Sequence, residues 1–199
     1  MYPFSKRIFD IFFSLLGIII LLPVFFIISL FILSDSPGGI LFTQKRVGKG
    51  GSDFTLFKFR TMNAGSESAG LITTGAHVSR ITRVGKILRK NKLDELPQLI
   101  NVLIGEMSLV GPRPEVRKYV EMYNERQKHV LDIKPGITDY ASLQYSNENE
   151  LLAGKENPED LYIREIMPAK LELNLQYLSE MSILTDIKII FKTIGKIFG

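Results

Sequence analysis

The sequence predicts a mostly helical α+β protein with an N-terminal membrane helix. Three observations carry this. Residues 11–33 are an uncharged run of 23 residues, 19 of them apolar. Two β-rich runs flank a glycine-rich turn at 48–52. Further on, apolar residues recur at helical spacing around 96–103 and 187–198.

Composition excludes several classes first. A length of 199 residues fits one ordinary domain with an appendage, and 45% hydrophobic residues exclude a disordered chain. With no cysteine, disulfides, thiolate metal sites and cysteine nucleophiles are excluded. Two isolated histidines, His77 and His129, argue against a zinc site. The net charge of +4 conceals an asymmetry. Residues 36–93 hold eleven basic and two acidic residues, a balance of +9; residues 94–199 hold twelve basic and seventeen acidic, a balance of −5.

The run 11–33 is long enough to meet a bilayer and longer than a signal peptide's apolar core. It ends at Leu33-Ser34-Asp35 without a small-residue cleavage pattern, so it is read as retained. Pro23 lacks an N–H and is expected to kink or break the helix. The arms on either side are about 18 Å and 15 Å long, each reaching the middle of a bilayer. Basic residues flank both ends, Lys6 and Arg7 before, Lys45, Arg46 and Lys49 after, which draws both towards the cytoplasm. On these features alone a kinked spanning helix and a re-entrant helix fit equally.

Residues 39–47 and 53–62 read as a β-hairpin around Gly48-Lys49-Gly50-Gly51-Ser52. Alternation puts Phe54, Leu56, Lys58 and Arg60 on one face, making Lys58 and Arg60 a candidate pair for an anion, or simply edge-strand charges. Residues 63–78 are small and polar and read as a loop. In the following basic run, Arg83, Lys86 and Lys90 fall along one helical stripe with Arg89 beside it. Such a stripe can be a solvated face or an anionic-lipid surface; a membrane segment next to it argues against nucleic acid.

Leu96, Leu99, Ile100 and Leu103 have helical spacing, and Pro97 is tolerated only in a first turn. The helix is therefore expected to begin just before it, with Asp94 as N-cap and Glu95 complementing the dipole. The same two carboxylates also suit chemistry. One can attack phosphorus where cations offset repulsion, and the other can hold Mg²⁺. Lys58, Arg60, Arg89 and Arg113 are the candidate cations. Arg113 stands between Pro112 and Pro114, whose fixed backbones hold its guanidinium for a phosphate, or for a salt bridge to Glu106 or Glu115. Residues 147–168 are polar and acidic, suiting an exposed helix and loop or part of a pocket. In the last run Lys188, Lys192 and Lys196 share one face among apolar residues, as in an interfacial helix or a terminal helix packed on its own domain.

Read together, these motifs resemble the small monotopic phosphoglycosyl transferases of the bacterial sugar transferase family. The matching residues are Lys6-Arg7-Ile8-Phe9-Asp10, Phe42-Thr43-Gln44-Lys45-Arg46-Val47-Gly48, Phe57-Lys58-Phe59-Arg60-Thr61-Met62, Leu93-Asp94-Glu95-Leu96-Pro97-Gln98-Leu99, Gly111-Pro112-Arg113-Pro114 and Lys134-Pro135-Gly136-Ile137-Thr138. The resemblance implies transfer of a sugar-1-phosphate from a UDP-sugar to undecaprenyl phosphate, with release of UMP. It implies Asp94 as nucleophile on the β-phosphate, Glu95 as Mg²⁺ ligand, and Arg89 and Arg113 near the phosphates, with Lys58 in a matching motif. It implies a re-entrant helix broken at Pro23, a small hairpin and amphipathic interfacial helices around an active site at the cytoplasmic face of the bacterial inner membrane.

Residues 1–36 would then form the membrane anchor and residues 37–199 the catalytic domain, with no separate regulatory domain. Membrane lipids are expected partners and nucleic acid is not; a homo-oligomer is compatible with the sequence. Three positions depart from the family's habit: Leu22 precedes Pro23 where serine is frequent, Asp139-Tyr140-Ala141 follows the Lys134–Thr138 motif, and Asn174 stands where aspartate is frequent. A non-catalytic lipid-binding adaptor and a membrane-anchored nucleotide-sugar hydrolase are the alternative readings.

Overall fold

The computed structural model describes residues 2–63 and 80–198. Beyond Asn63, the stretch 63–78 read as a loop lies outside the described residues. The chain opens with one helix, α1 (Tyr2–Asp35), 34 residues long and, by length and composition, able to cross a membrane. Its inner stripe, Asp10, Ser14, Ile28 and Ile32, is buried, and Gly17 abuts Leu99. Its outer side exposes large apolar residues from Phe4 and Ile8 through Ile19 and Leu22 to Phe31 and Leu33. The break expected at Pro23 is not an end of the helix, because α1 continues through it. The missing N–H removes one hydrogen bond, a local loss within a long helix, and Pro23 lies on the exposed side.

The hairpin forms as expected, with β1 (Leu41–Val47) antiparallel to β2 (Asp53–Phe59) and Leu41 opposite Phe59. α2 (Arg83–Lys90) is capped by Thr82, whose hydroxyl accepts the Gly85 N–H at 2.9 Å. Arg83, Lys86 and Lys90 are exposed on it. α3 (Gln98–Ile104) starts later than the sequence suggests, and Asp94 does not cap it. Instead Leu93–Glu95 forms a 3-10 turn, entered through Lys92 at a left-handed φ of 56°. The Glu95 and Leu96 N–H groups bond back to Lys92 and Leu93, so the turn closes on itself before Pro97, which has no N–H to continue it.

β3 (Ser108–Val110) follows, then α4 (Arg117–Val120) and α5 (Glu125–Lys128). β4 (Gly136–Thr138) pairs with β3 in parallel, Ser108 opposite Gly136 and Val110 opposite Thr138. Where β3 ends and β4 begins the backbones at 111 and 136 touch: a Cβ on Gly136 would lie 2.1 Å from the Gly111 nitrogen. Only paired glycines allow this approach, which brings two of the sequence motifs side by side.

Next come α6 (Tyr140–Gln144), α7 (Glu148–Leu152), α8 (Pro158–Leu161), a π-helical turn (Tyr162–Ile166), α9 (Met167–Glu180) and α10 (Ile183–Phe198). The acidic 147–168 segment is partly structural, since Leu152 and Tyr162 join a core with Val47, Tyr119 and Leu171. A second core sets Tyr177 of α9 and Ile189 of α10 against Phe54, Leu56, Val102 and Val110. The inner edge of α10 is thus packed, while Leu184, Lys188, Phe191, Lys192, Ile194 and Lys196 are exposed.

Both ends of α1 are tied to this body. Arg7 donates to the carbonyls of Val102 at 2.6 Å and Leu103 at 2.9 Å, in the last turn of α3. A cation there bonds carbonyls at the helix end, the Val102 carbonyl alongside the Gly105 N–H, and complements the dipole. Asp10 accepts the Leu109 N–H and the Ser108 hydroxyl, and Lys6 bridges Asp10 to the fully buried Asp186 at 3.1 and 2.9 Å. At the far end Asp35 accepts the Val84 N–H at 2.9 Å, and Ile28 and Ile32 pack with Phe59 and Leu88.

The glycine contact makes a paired prediction. Gly136→Ala is expected to lower stability by at least about 1–3 kcal/mol through overpacking. Gly195→Ala, where a Cβ meets nothing within 4 Å, is expected to be neutral or up to about 1 kcal/mol stabilising, since alanine is the better helix former. Thermal unfolding in detergent or nanodiscs checks both.

Candidate active site

Three distant segments meet at Glu95. Lys58, near the end of β2, donates its Nζ to Glu95 Oε1 at 2.8 Å. Arg113, from the turn after β3, holds the same carboxylate with both terminal nitrogens, one on Oε1 and one on Oε2 at 3.1 Å. The planar guanidinium suits this two-pronged grip, where an ammonium does not. Burial alone would raise the Glu95 carboxyl, but Arg113 and then Lys58 outweigh it and hold the group well below its ordinary 4.5. The same pairing raises Arg113 against burial, while burial lowers Lys58 against the pull of Glu95.

Asp94 is held differently. Its side chain is buried, at 8% exposure, and makes no hydrogen bond among the described residues. Burial, and then the charge of Glu95, push its carboxyl up; Lys58, Arg89 and Arg113 pull against that. Arg89 comes from α2, where its Nε donates to the Thr61 hydroxyl at 2.8 Å. Burial lowers it, and Asp94 is the first of the charges that offset this. The result is one carboxylate gripped by two cations beside a second carboxylate that three cations influence.

The scaffold explains the gathering. Asn101 of α3 is fully buried; its Oδ1 accepts the Phe57 N–H at 3.0 Å and its Nδ2 donates to the Thr55 carbonyl at 2.7 Å. The amide acts as a short strand edge that locks α3, and the turn before it, to the strand bearing Lys58. On the other side, Arg46 of β1 donates to Gln44 and to the Pro114 carbonyl at 3.1 Å, and the Val47 N–H bonds the Glu115 carbonyl at 2.9 Å. The Arg113 N–H bonds the buried Asp139, which also caps α6 through the Ser142 N–H at 2.6 Å.

The structure therefore brings together Asp94, Glu95, Lys58, Arg89 and Arg113. It does not bring Arg60 to them. The Arg60 guanidinium donates to the carbonyls of Ser36 and Pro37, each at 2.7 Å, and fastens the segment after α1. β2 ends at Phe59, so the alternation that would align Arg60 with Lys58 stops one residue short. Arg113 pairs with Glu95 rather than with Glu106, which takes Asn101, or Glu115, which takes Arg46. Sequence reasoning passed over Asn101, though an amide inside an otherwise apolar helical face is a visible signal. Nothing local marks Arg46 and Asp139 as holding the Arg113 turn, since their partners there lie 68 and 26 residues away.

The chain matches the family described as bacterial sugar transferase over residues 1–199. It is similar to the UDP-N-acetylgalactosamine-undecaprenyl-phosphate N-acetylgalactosaminephosphotransferase of Aeromonas hydrophila, with 36% identity covering 98% of this chain and 44% of that protein. It is equally similar to the UDP-glucose:undecaprenyl-phosphate glucose-1-phosphate transferase of Escherichia coli (strain K12), at 36% identity over 97% of this chain and 40% of that protein. The exopolysaccharide production protein PSS of Rhizobium leguminosarum bv. phaseoli is 37% identical over 95% of this chain and 92% of its own length. The chain thus spans less than half of the first two relatives and nearly all of the third. It belongs to the bacterial sugar transferase family, and with the long apolar α1 this supports a membrane-associated protein.

The depressed Glu95 carboxyl has a pH signature. The unfolded chain takes up this proton near 4.5, whereas the folded one does so only well below it, so folding is favoured above that range and loses this contribution as pH falls through the folded value. Denaturant midpoints are expected to drop more steeply below about pH 4.5 in the wild type than in Glu95→Gln, which cannot titrate there. Glu95→Gln itself is expected to be less stable at neutral pH by about 3–5 kcal/mol, because two cations lose their buried partner.

Proposed function

We propose that the protein transfers a sugar-1-phosphate from a UDP-sugar to polyprenyl (undecaprenyl) phosphate and releases UMP, through a covalent intermediate on Asp94. The observation that carries this is the division between the two adjacent carboxylates. Glu95 is committed to Arg113 and Lys58, while Asp94 makes no hydrogen bond among the described residues and stands among cations. The Aeromonas and Escherichia relatives are named for transfers to undecaprenyl phosphate, which supports the reaction type.

In the first step an Asp94 carboxylate oxygen bonds the β-phosphorus as the bond from that phosphorus to the UMP oxygen breaks. In the second, an oxygen of polyprenyl phosphate bonds the same phosphorus and the Asp94–phosphorus bond breaks, giving a polyprenyl diphosphosugar. Lys58, Arg89 and Arg113 offset the charge that gathers at phosphorus. Burial makes Asp94 more basic than a free carboxylate and so a stronger nucleophile.

Mg²⁺ fits the donor set in a limited way. Glu95 Oε1 accepts two hydrogen bonds and Oε2 one, so Oε2 keeps one acceptor direction. A cation that binds through one or two carboxylates, substrate phosphates and water asks for no more protein ligands than Glu95 and its neighbour supply. Bound there, Mg²⁺ would neutralise charge on the diphosphate.

Residues 1–36 are read as the membrane anchor and 37–199 as the catalytic part, at the cytoplasmic face of the bacterial inner membrane. α1 is read as re-entrant, bending within the bilayer at Pro23 while remaining helical on both sides of it. Its support is that Lys6, Arg7 and Asp10 at one end and Ile32 and Asp35 at the other all bind the same body. A helix of about 51 Å crossing a bilayer about 30 Å thick would leave its ends on opposite sides.

Asp94→Asn is expected to cut UMP release and lipid-linked sugar formation by at least about a thousandfold in nanodiscs. Unchanged transfer would remove Asp94 as nucleophile, and turnover without lipid acceptor would favour a hydrolase. The chain has no cysteine, so Tyr2→Cys and Ser36→Cys can be labelled singly in sealed vesicles. Both are expected to react from the same face, and labelling from opposite faces would reject the re-entrant reading.

A further inference from the structure

Three cations influence Asp94, and two of them are bonded to a carboxylate, since Lys58 and Arg113 both hold Glu95. Arg89 differs. Among the described residues it has no carboxylate partner, and its Nε donates to the Thr61 hydroxyl at 2.8 Å. A neutral acceptor orients a guanidinium without cancelling its charge. With Nε held, the donors on the two terminal nitrogens remain. They form the fork that takes two oxygens of a phosphoryl group at once.

Thr61 is itself fixed. It lies two residues beyond β2, in the Phe57–Met62 motif, and is 6% exposed. Its carbonyl accepts the Thr82 N–H at 3.0 Å, at the start of α2. Gly85 lies against the same carbonyl, where a Cβ would fall 2.1 Å from the oxygen. A side chain at 85 would therefore push α2, and Arg89 with it, away from Thr61. One residue thus fastens α2 at both ends, the start by its backbone and the last turn by its hydroxyl. α2 also packs on the 93–95 turn, which puts Arg89 beside Asp94. A long side chain without such a bond samples several rotamers, and the hydroxyl selects one direction among them.

We infer that Thr61 is a positioning residue for the transfer: its hydroxyl holds Arg89 Nε, so that the terminal nitrogens are left to grip the phosphoryl group that Asp94 attacks. This rests on the reading of Asp94 as nucleophile. It gives Thr61 a role in the reaction without contact with substrate, and it explains why α2 carries a glycine where it crosses that residue.

The test is a double-mutant cycle on UMP release by the full chain in nanodiscs, with undecaprenyl phosphate and the UDP-sugar turned over fastest. Thr61→Val keeps the branched shape and removes the hydroxyl. It is expected to lower kcat at least about tenfold, the scale of one hydrogen bond to a charged group, and to change KM less. Thr61→Ser, which keeps the hydroxyl, is expected to stay within about threefold of the wild type. Arg89→Lys has no Nε–H, and in that background Thr61→Val is expected to cost less than about twofold. Single-turnover rates with enzyme in excess are used where Arg89→Lys is slow. If Thr61→Val does not fold, Thr61→Ala is read the same way. An equal loss in both backgrounds, a Thr61→Ser loss as large as that of Thr61→Val, or a Thr61→Val at full rate overturns the positioning role and leaves the proposed reaction standing. A wild type that releases no UMP from any UDP-sugar overturns both.

Discussion

Glu95 is a largely buried carboxylate, its side chain 12% exposed, and such a group with no partner would be costly. Its bonds to Arg113 and Lys58 remove that cost by joining residues 18 and 37 positions away in sequence. The rest of the site depends on this junction. It fixes where the guanidinium and ammonium point, and it leaves Asp94 as the carboxylate that those cations influence without binding. Two neighbouring acids of nearly identical chemistry thereby acquire opposite tendencies, one pushed below its ordinary range and one above it.

Holding such a junction takes backbone precision, and the motifs supply it away from the reacting groups. Asn101 fixes the distance between β2 and α3 with two hydrogen bonds to the strand. Gly111 and Gly136 let the turn after β3 run against the start of β4, so that the turn bearing Arg113 is set by β4 and by Asp139. Arg46 holds the far side of that turn through the Pro114 carbonyl. Much of what these motifs contain is therefore positioning rather than contact with substrate. Arg60 has the same character, since it fastens the exit of α1.

The parts legible in the sequence were those with a local pattern. The uncharged run announced α1, alternation around a glycine turn announced the hairpin, and Asp94-Glu95 with Arg89 and Arg113 stood out because charged residues crowd beside prolines. The start of α3 was misplaced because Pro97 argues equally for a first-turn position and for the end of a preceding turn. The closing of that turn on Lys92 decides the matter. The continuity of α1 through Pro23 was likewise not readable, because one absent N–H does not say whether neighbouring turns hold. Lys58 was a candidate cation for the carboxylate pair, but its direct bond to Glu95 had no sequence signal. It follows from a strand and a helix meeting through Asn101, a contact that exists only once both are folded.

The account's central claim is that Asp94, the carboxylate left free by the Glu95 junction, becomes covalently bonded to phosphorus. Intact-protein and peptide mass spectrometry after incubation with a UDP-sugar, in the absence of polyprenyl phosphate, tests it most directly. The predicted result is one equivalent of UMP released and an added mass of one sugar-phosphate on the peptide containing Asp94, discharged when polyprenyl phosphate is supplied. An adduct on another residue, or UMP released only when the lipid acceptor is present and with no adduct at any time, would contradict it.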